Sequence, residues 1–343
     1  MTRFNLTKLA SGLAALGLLA GYSVSATAQT CPETNDPAAD YRCFFFDTGT
    51  DFNNNSSTTT SSFFEIGYNS TLATSIYEAG LADGSTVIDS NIQEVLNYYG
   101  LTGGPMDYTA VDGTTTQSLK DEPDFPGQKN FDTLSGPVAG RDTNNFDAQN
   151  DFGGVGWGLT YEYVISGTFD SATGPSFNDG YFDFFFEDWT TGEREQVLRV
   201  AVTGSNLQAA NLDIFGTVTF DWTGGGNDIY GLPSIGDGVN DCISALCQNF
   251  WNFQTSSPTS FFDLEGQGIQ VRMMLDTNVN PPIPTLDQLV QFTGDDGELY
   301  WIRQTTLDGS VRFTTAVPEP GAIALFGLGL AGLGLFMRRR RVV

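Results

Sequence analysis

The sequence predicts a mainly β fold, an antiparallel β-sandwich or jelly roll carrying one or two short helices and long loops. Three observations lead there. The 343-residue chain holds 40 glycines and 14 prolines, is only 16% charged and is 13% aromatic, a strand-and-turn composition. From residue 155 onward, segments rich in aromatic and β-branched residues recur between clusters of Gly, Asn, Asp or Pro. No intervening segment has the length or helical periodicity of a crossover between parallel strands. The chain also lacks histidine, which removes the commonest general base and metal ligand, and with it Ser-His-Asp, Cys-His and His-zinc chemistry.

Residues 1–28 read as a secretory signal peptide. Arg3 and Lys8 form the basic start, residues 9–21 the apolar stretch, and Ala26 and Ala28 the small residues that fit a signal peptidase, with cleavage expected after Ala28. An apolar stretch of this length is too short to span a bilayer comfortably. Residues 47–62 are polar and of low complexity and read as a loop. A helix is expected at residues 91–99, where Ile92, Val95, Leu96 and Tyr99 share a face, Ser90 and Gln93 form a capping-box pattern, and Gly100 can end it. Residues 101–154 turn Gly/Pro/Asp-rich and read as irregular excursions.

Strands are expected at 159–166, 181–189, 196–203, 214–222, 260–264 and 269–275. A closing hairpin is expected between 299–305 and 310–315, turning at Asp308-Gly309. Residues 286–292 suggest a short helix, since Thr285 and Gln288 repeat the capping-box pattern after Pro284. No fixed-period repeat interrupts this series, which disfavours a solenoid or propeller.

Candidate chemistry is confined to carboxylates and aromatics. Glu162, Asp183, Glu187 and Asp188 are the acids best placed to share a sheet face, as the two acids of a glycoside hydrolase must flank a sugar bond. Trp157, Trp189, Trp222, Trp251 and Trp301 could stack on sugars, or form the core. Residues 142–151 and 237–241 offer oxygen ligands for a structural calcium ion, although neither has EF-hand spacing, and Asx turns account for the same composition. No other cofactor is expected, nor any catalytic or metal-ligating set. Cys31, Cys43, Cys242 and Cys247 are even in number and lie in the exported portion, so disulfides are expected. Four cysteines allow three pairings; proximity favours Cys31 with Cys43 and Cys242 with Cys247.

At the C-terminus, Pro318-Glu319-Pro320 leads into an apolar segment, 321–337, and then Arg338, Arg339, Arg340 and Arg341. Seventeen helical residues reach about 26 Å, enough for a thinned bilayer, and the arginines should stay cytoplasmic. Taking away both ends leaves nine basic against 40 acidic residues, a net charge of about −31, which repels nucleic acid and anionic headgroups. The tail resembles the PEP-CTERM sorting signal of Gram-negative bacteria. The resemblance implies recognition by exosortase, an integral-membrane cysteine transpeptidase that cuts near the tripeptide, after transient insertion of the helix in the inner membrane. It assigns no chemistry to residues 29–316.

The expected organisation is therefore a signal peptide at 1–28, an exported β-rich domain at 29–316 and a sorting tail at 317–343 with a single membrane helix at 321–337. The expected function is that of a secreted protein of the outer surface or extracellular matrix, non-catalytic and in contact with exopolysaccharide. A carbohydrate-binding module and a carboxylate-dependent glycoside hydrolase are the rival readings.

Overall fold

The computed structural model describes residues 42–316, apart from 53–55, 61, 63–64, 79, 102–105, 121–133, 136–156, 189–190, 209–210, 223–241, 255–256, 280 and 282. The strands in chain order are β1 (Phe44–Phe46), β2 (Glu65–Tyr77), β3 (Thr86–Ser90), β4 (Met106–Thr109), β5 (Thr116–Leu119), β6 (Leu134–Ser135), β7 (Trp157–Asp170), β8 (Gly174–Asp188), β9 (Glu193–Gln208), β10 (Asn211–Thr219), β11 (Trp251–Phe253), β12 (Thr259–Ser260), β13 (Gln270–Asn278), β14 (Val290–Thr293) and β15 (Leu299–Ala316). Among the described residues three short α-helices accompany them: α1 (Gln93–Tyr98), α2 (Ala245–Phe250) and α3 (Phe261–Gly266). The protein is mainly β, and the ladders between its strands are antiparallel, as the composition and alternation predict.

The main sheet runs β14-β15-β13-β10-β9-β8-β7-β3-β2-β6, and β15 also pairs with β2. That extra ladder extends from Trp301 opposite Tyr77 to Arg312 opposite Glu65, and it closes the sheet on itself one strand in from each end. Strands β2, β3, β7, β8, β9, β10, β13 and β15 therefore form a closed ring, which removes the exposed edges an open sandwich would present. Alternation sorts each strand into two faces. On β8, Phe182, Phe184 and Phe186 join the interior cluster, whereas Tyr181 belongs to a separate cluster outside the ring.

Register shifts interrupt four ladders of the ring, and glycine makes the one between β7 and β8 possible. The β7–β8 register slips between Ser166 and Gly167. At this point the backbones approach so closely that a Cβ on Gly167 would lie 1.8 Å from the Ser176 carbonyl oxygen. Gly180 on the facing strand has φ +112°, in the region that L side chains rarely adopt. Another shift, between β9 and β10, falls at Phe215/Gly216, which pair with Gly204 and Val202 and leave Thr203 of β9 as the extra residue.

One end of the interior is stopped by aromatic rings. Phe44 and Phe46 of β1, Phe250 of α2, Trp251 and Phe253 of β11 and Phe261 of α3 pack together. The Phe44 and Trp251 rings each lie 5.1 Å from Phe313 of β15, and Trp251 lies 5.6 Å from Phe184 of β8. Each such ring, fully buried, contributes about 1.5–3 kcal/mol through removal of apolar surface from water. Outside the ring, α1 buries Val95 and Leu96 against outward-facing Ile76, Ile88, Val164 and Ile302.

Several local expectations are corrected. Residues 260–264 do not form a strand: Ser260 caps α3 by accepting a hydrogen bond from the Asp263 amide at 3.1 Å, so the chain turns helical at once. Asp308-Gly309 makes no hairpin. Residues 299–316 are one continuous strand, and the register with β2 slips between Leu307 and Gly309, so the pair accommodates a bulge. The helix expected at 286–292 is a single 3₁₀ turn, Leu286–Gln288, which has the Thr285/Gln288 capping box but gives way to β14. Helix α1 forms without the Ser90/Gln93 box, because the Ser90 hydroxyl donates to the Tyr163 carbonyl and accepts from the Ile92 amide. The stretch 101–154 contains the β4–β5 hairpin and β6.

Candidate functional site

The four acids singled out by the sequence lie on or beside one face of the β7–β8–β9 ladder. Glu162 and Asp183 are directly opposed on β7 and β8, and Asp183, Phe185 and Glu187 follow one another on the outward face of β8. Asp188 ends that strand, where its Oδ1 accepts from the Thr191 amide at 3.2 Å. Glu162, Asp183 and Glu187 are all buried.

Two arginines on β9 engage these acids. Strand β9 follows β8 through a short turn, and its register sets Arg199 opposite Asp183 and Arg194 opposite Glu187. The Arg199 guanidinium donates through Nε and Nη2 to the two Asp183 oxygens at 2.7 and 2.6 Å, a bidentate fork. Gln196 adds a third hydrogen bond to Asp183 at 2.8 Å. Arg194 bridges the other two acids, 2.7 Å from Glu162 and 3.4 Å from Glu187, and the Thr160 hydroxyl donates to Glu187 at 3.0 Å. Aromatic faces support both cations: Arg194 sits 3.5 Å above the Phe185 ring and Arg199 4.4 Å above that of Tyr181.

Burial pushes the Glu162 carboxyl up from its ordinary range, against the opposing pull of Arg194. Asp183 is likewise raised by burial, although Arg199 pulls it down. Desolvation pulls Arg199 down, but its hydrogen bonds to Asp183 and the attraction of the Asp183 and Tyr181 charges together raise it. The arrangement gives each of these three buried acids a fixed donor and ties three strands together. The acid spacing in the sequence says nothing of Arg194 and Arg199. Their signal is indirect: cations are scarce, and these two fall in the strand after the acidic one.

Four of the five tryptophans lie at or inside the core. Trp157 and Trp251 are buried, and Trp222 and Trp301 pack against the interior cluster, while Trp189 lies outside the described residues. The exposed large apolar side chains among the described residues include Tyr98, Phe215 and Ile243 but no tryptophan. Cys242 and Cys247 are joined in a disulfide with their Cα atoms 5.6 Å apart. Cys43 is also disulfide-bonded, and Cys31 lies outside the described residues. The two oxygen-rich segments considered for calcium, 142–151 and 237–241, lie outside them too. Among the described residues no group of three or more acids or cysteines could hold a metal ion.

Ala26, Ala28, the tripeptide Pro318-Glu319-Pro320, the apolar segment 321–337 and Arg338–Arg341 are all outside the described residues, among which no helix is long and apolar enough to cross a membrane. Residues 316–341 match the family model of the PEP-CTERM protein-sorting motif. The motif marks the chain as an exported protein addressed to exosortase and to the cell surface. No curated protein matches the chain.

Proposed function

We propose that this is an exosortase-processed protein of the outer surface or extracellular matrix, associated with exopolysaccharide, whose folded β domain is non-catalytic. The observation that carries the reading is the sorting motif at 316–341, with its order of tripeptide, apolar segment and arginine block. A cation block held on the cytoplasmic side keeps the helix in place while the tripeptide is presented outside. The strongly acidic exported region favours solubility in an external layer. The engagement of Glu162, Asp183 and Glu187 by guanidinium and hydroxyl donors supports a structural role for these acids.

Mass determination of the mature protein tests the processing. The expected polypeptide begins after Ala28 and lacks Arg338–Arg341; surface material that retains the arginines would contradict the reading. Incubation with glycans tests the absence of catalysis, and turnover lost in Glu162→Gln would overturn it.

A further inference from the structure

The interior beyond the aromatic stopper is not filled. A cavity of about 40 Å³ lies there, in a hollow that opens to solvent. Each strand of the ring except β9 lines it. Ile165, Phe177, Phe182, Leu212, Ile214 and Leu275 supply an apolar wall. An eight-stranded ring is about the size at which side chains either fill the interior or leave room for one small ligand.

The polar groups in the hollow are few. Asp89 accepts from the Ser75 hydroxyl at 2.5 Å through one oxygen and from the Tyr163 hydroxyl at 2.6 Å through the other. Arg303 lines the same space, and its charge acts on Asp89. Thr277 also lines the hollow; it is 1% exposed, and its Oγ1 is buried with no hydrogen-bond partner. A buried hydroxyl without a partner is unfavourable, and a bound acceptor would satisfy it.

We infer that the hollow binds a small, uncharged, lipophilic molecule with one oxygen acceptor, such as a ketone, ester or lactone. Its apolar body lies against the aliphatic and aromatic wall, and its oxygen accepts from the Thr277 hydroxyl. An acceptor fits because both Asp89 oxygens already receive donors, whereas the unpartnered Thr277 hydroxyl offers one. An uncharged ligand fits because Asp89 and Arg303 are opposite charges within one low-dielectric interior, where a third charge would be buried without a counter-ion. This assignment is independent of how the protein is exported.

The test uses the protein purified as its host releases it, with the uncharged fluorophore N-phenyl-1-naphthylamine as probe and 2-decanone and decanoate as competitors. The probe should be taken up and displaced by 2-decanone, with decanoate at least about tenfold weaker as a buried unpaired charge demands. Thr277→Val removes the hydroxyl while keeping the shape. It should weaken 2-decanone about fivefold, the effect of one hydrogen bond, without lowering the melting temperature. Leu275→Trp fills the space and should abolish uptake. Failure of the probe to bind, or uptake unchanged in Leu275→Trp, would overturn the site. Decanoate binding as tightly as the ketone, or unchanged affinity in a folded Thr277→Val protein, would overturn the assigned ligand chemistry.

Discussion

Arg199 and Asp183 face each other across the β8–β9 ladder and join through two hydrogen bonds, with the two side chains 2% and 1% exposed. A pair so enclosed stabilises only while both members are present. Arg199→Met should destabilise the fold by about 3–5 kcal/mol, because it leaves Asp183 buried against an apolar side chain. Arg199→Met combined with Asp183→Leu should recover most of that loss. Urea unfolding of the three proteins measures it, and a double variant no better than the single would show that the pair is not the source.

Buried acids give the protein a distinctive pH response. Burial raises Asp89, Glu162 and Asp183 above their ordinary values, Asp89 against the pull of Ser75, Tyr163 and Arg303. A folded state that holds protons longer than the unfolded chain is favoured at low pH, and the advantage is lost as pH rises through the raised values. The melting temperature should therefore fall as pH climbs from about 4 through the carboxylate range. Asp89→Asn, which carries no charge, should flatten that decline. An unchanged slope in this variant would exclude Asp89 as a contributor.

Gly180 and Gly192 both have positive φ but differ in surroundings. A Cβ on Gly180 would lie 2.2 Å from the Val164 carbonyl oxygen, whereas Gly192 has nothing within 4 Å. Gly192→Ala should therefore cost only about 1 kcal/mol of backbone strain, and Gly180→Ala roughly 3 kcal/mol or more, since strands must separate as well. Chemical denaturation of the two variants should show this order; equal losses would mean that the bulge relaxes freely.

The disulfide between Cys242 and Cys247 spans a sequence separation of five and so closes a short loop. Chain-entropy reasoning puts its removal in the Cys242→Ser/Cys247→Ser protein at about 2 kcal/mol. Urea midpoints of the oxidised protein and this variant provide the comparison, with a loss near zero counting against the entropic account.

Much of β7 to β10 was legible because large apolar side chains alternate there with polar ones, and Phe182, Phe184 and Phe186 declare an inward face. Strand β2 was not legible: its segment EIGYNSTLATSIY mixes small and polar residues, and the partner of its longest ladder, β15, begins more than 200 residues later. The misread turn at Asp308-Gly309 has the same origin, since a local turn signal was outweighed by ladders on both sides of β15. The candidate acids were visible as spacing on a strand, but their arginine partners came from a neighbouring register that spacing does not encode.

What the sequence by itself determined is the address and the class of fold. Sorting signals are read as linear patterns by membrane machinery, and period-two alternation is a property of each strand alone. Only the tertiary structure decided that the sheet closes, that the buried acids meet fixed donors, and that a hollow remains inside. Each of these depends on residues distant in the chain meeting in space, as Glu65 meets Arg312 at 2.5 Å across 247 residues. Such meetings follow from which ladders form together, and no local window of the chain carries that information.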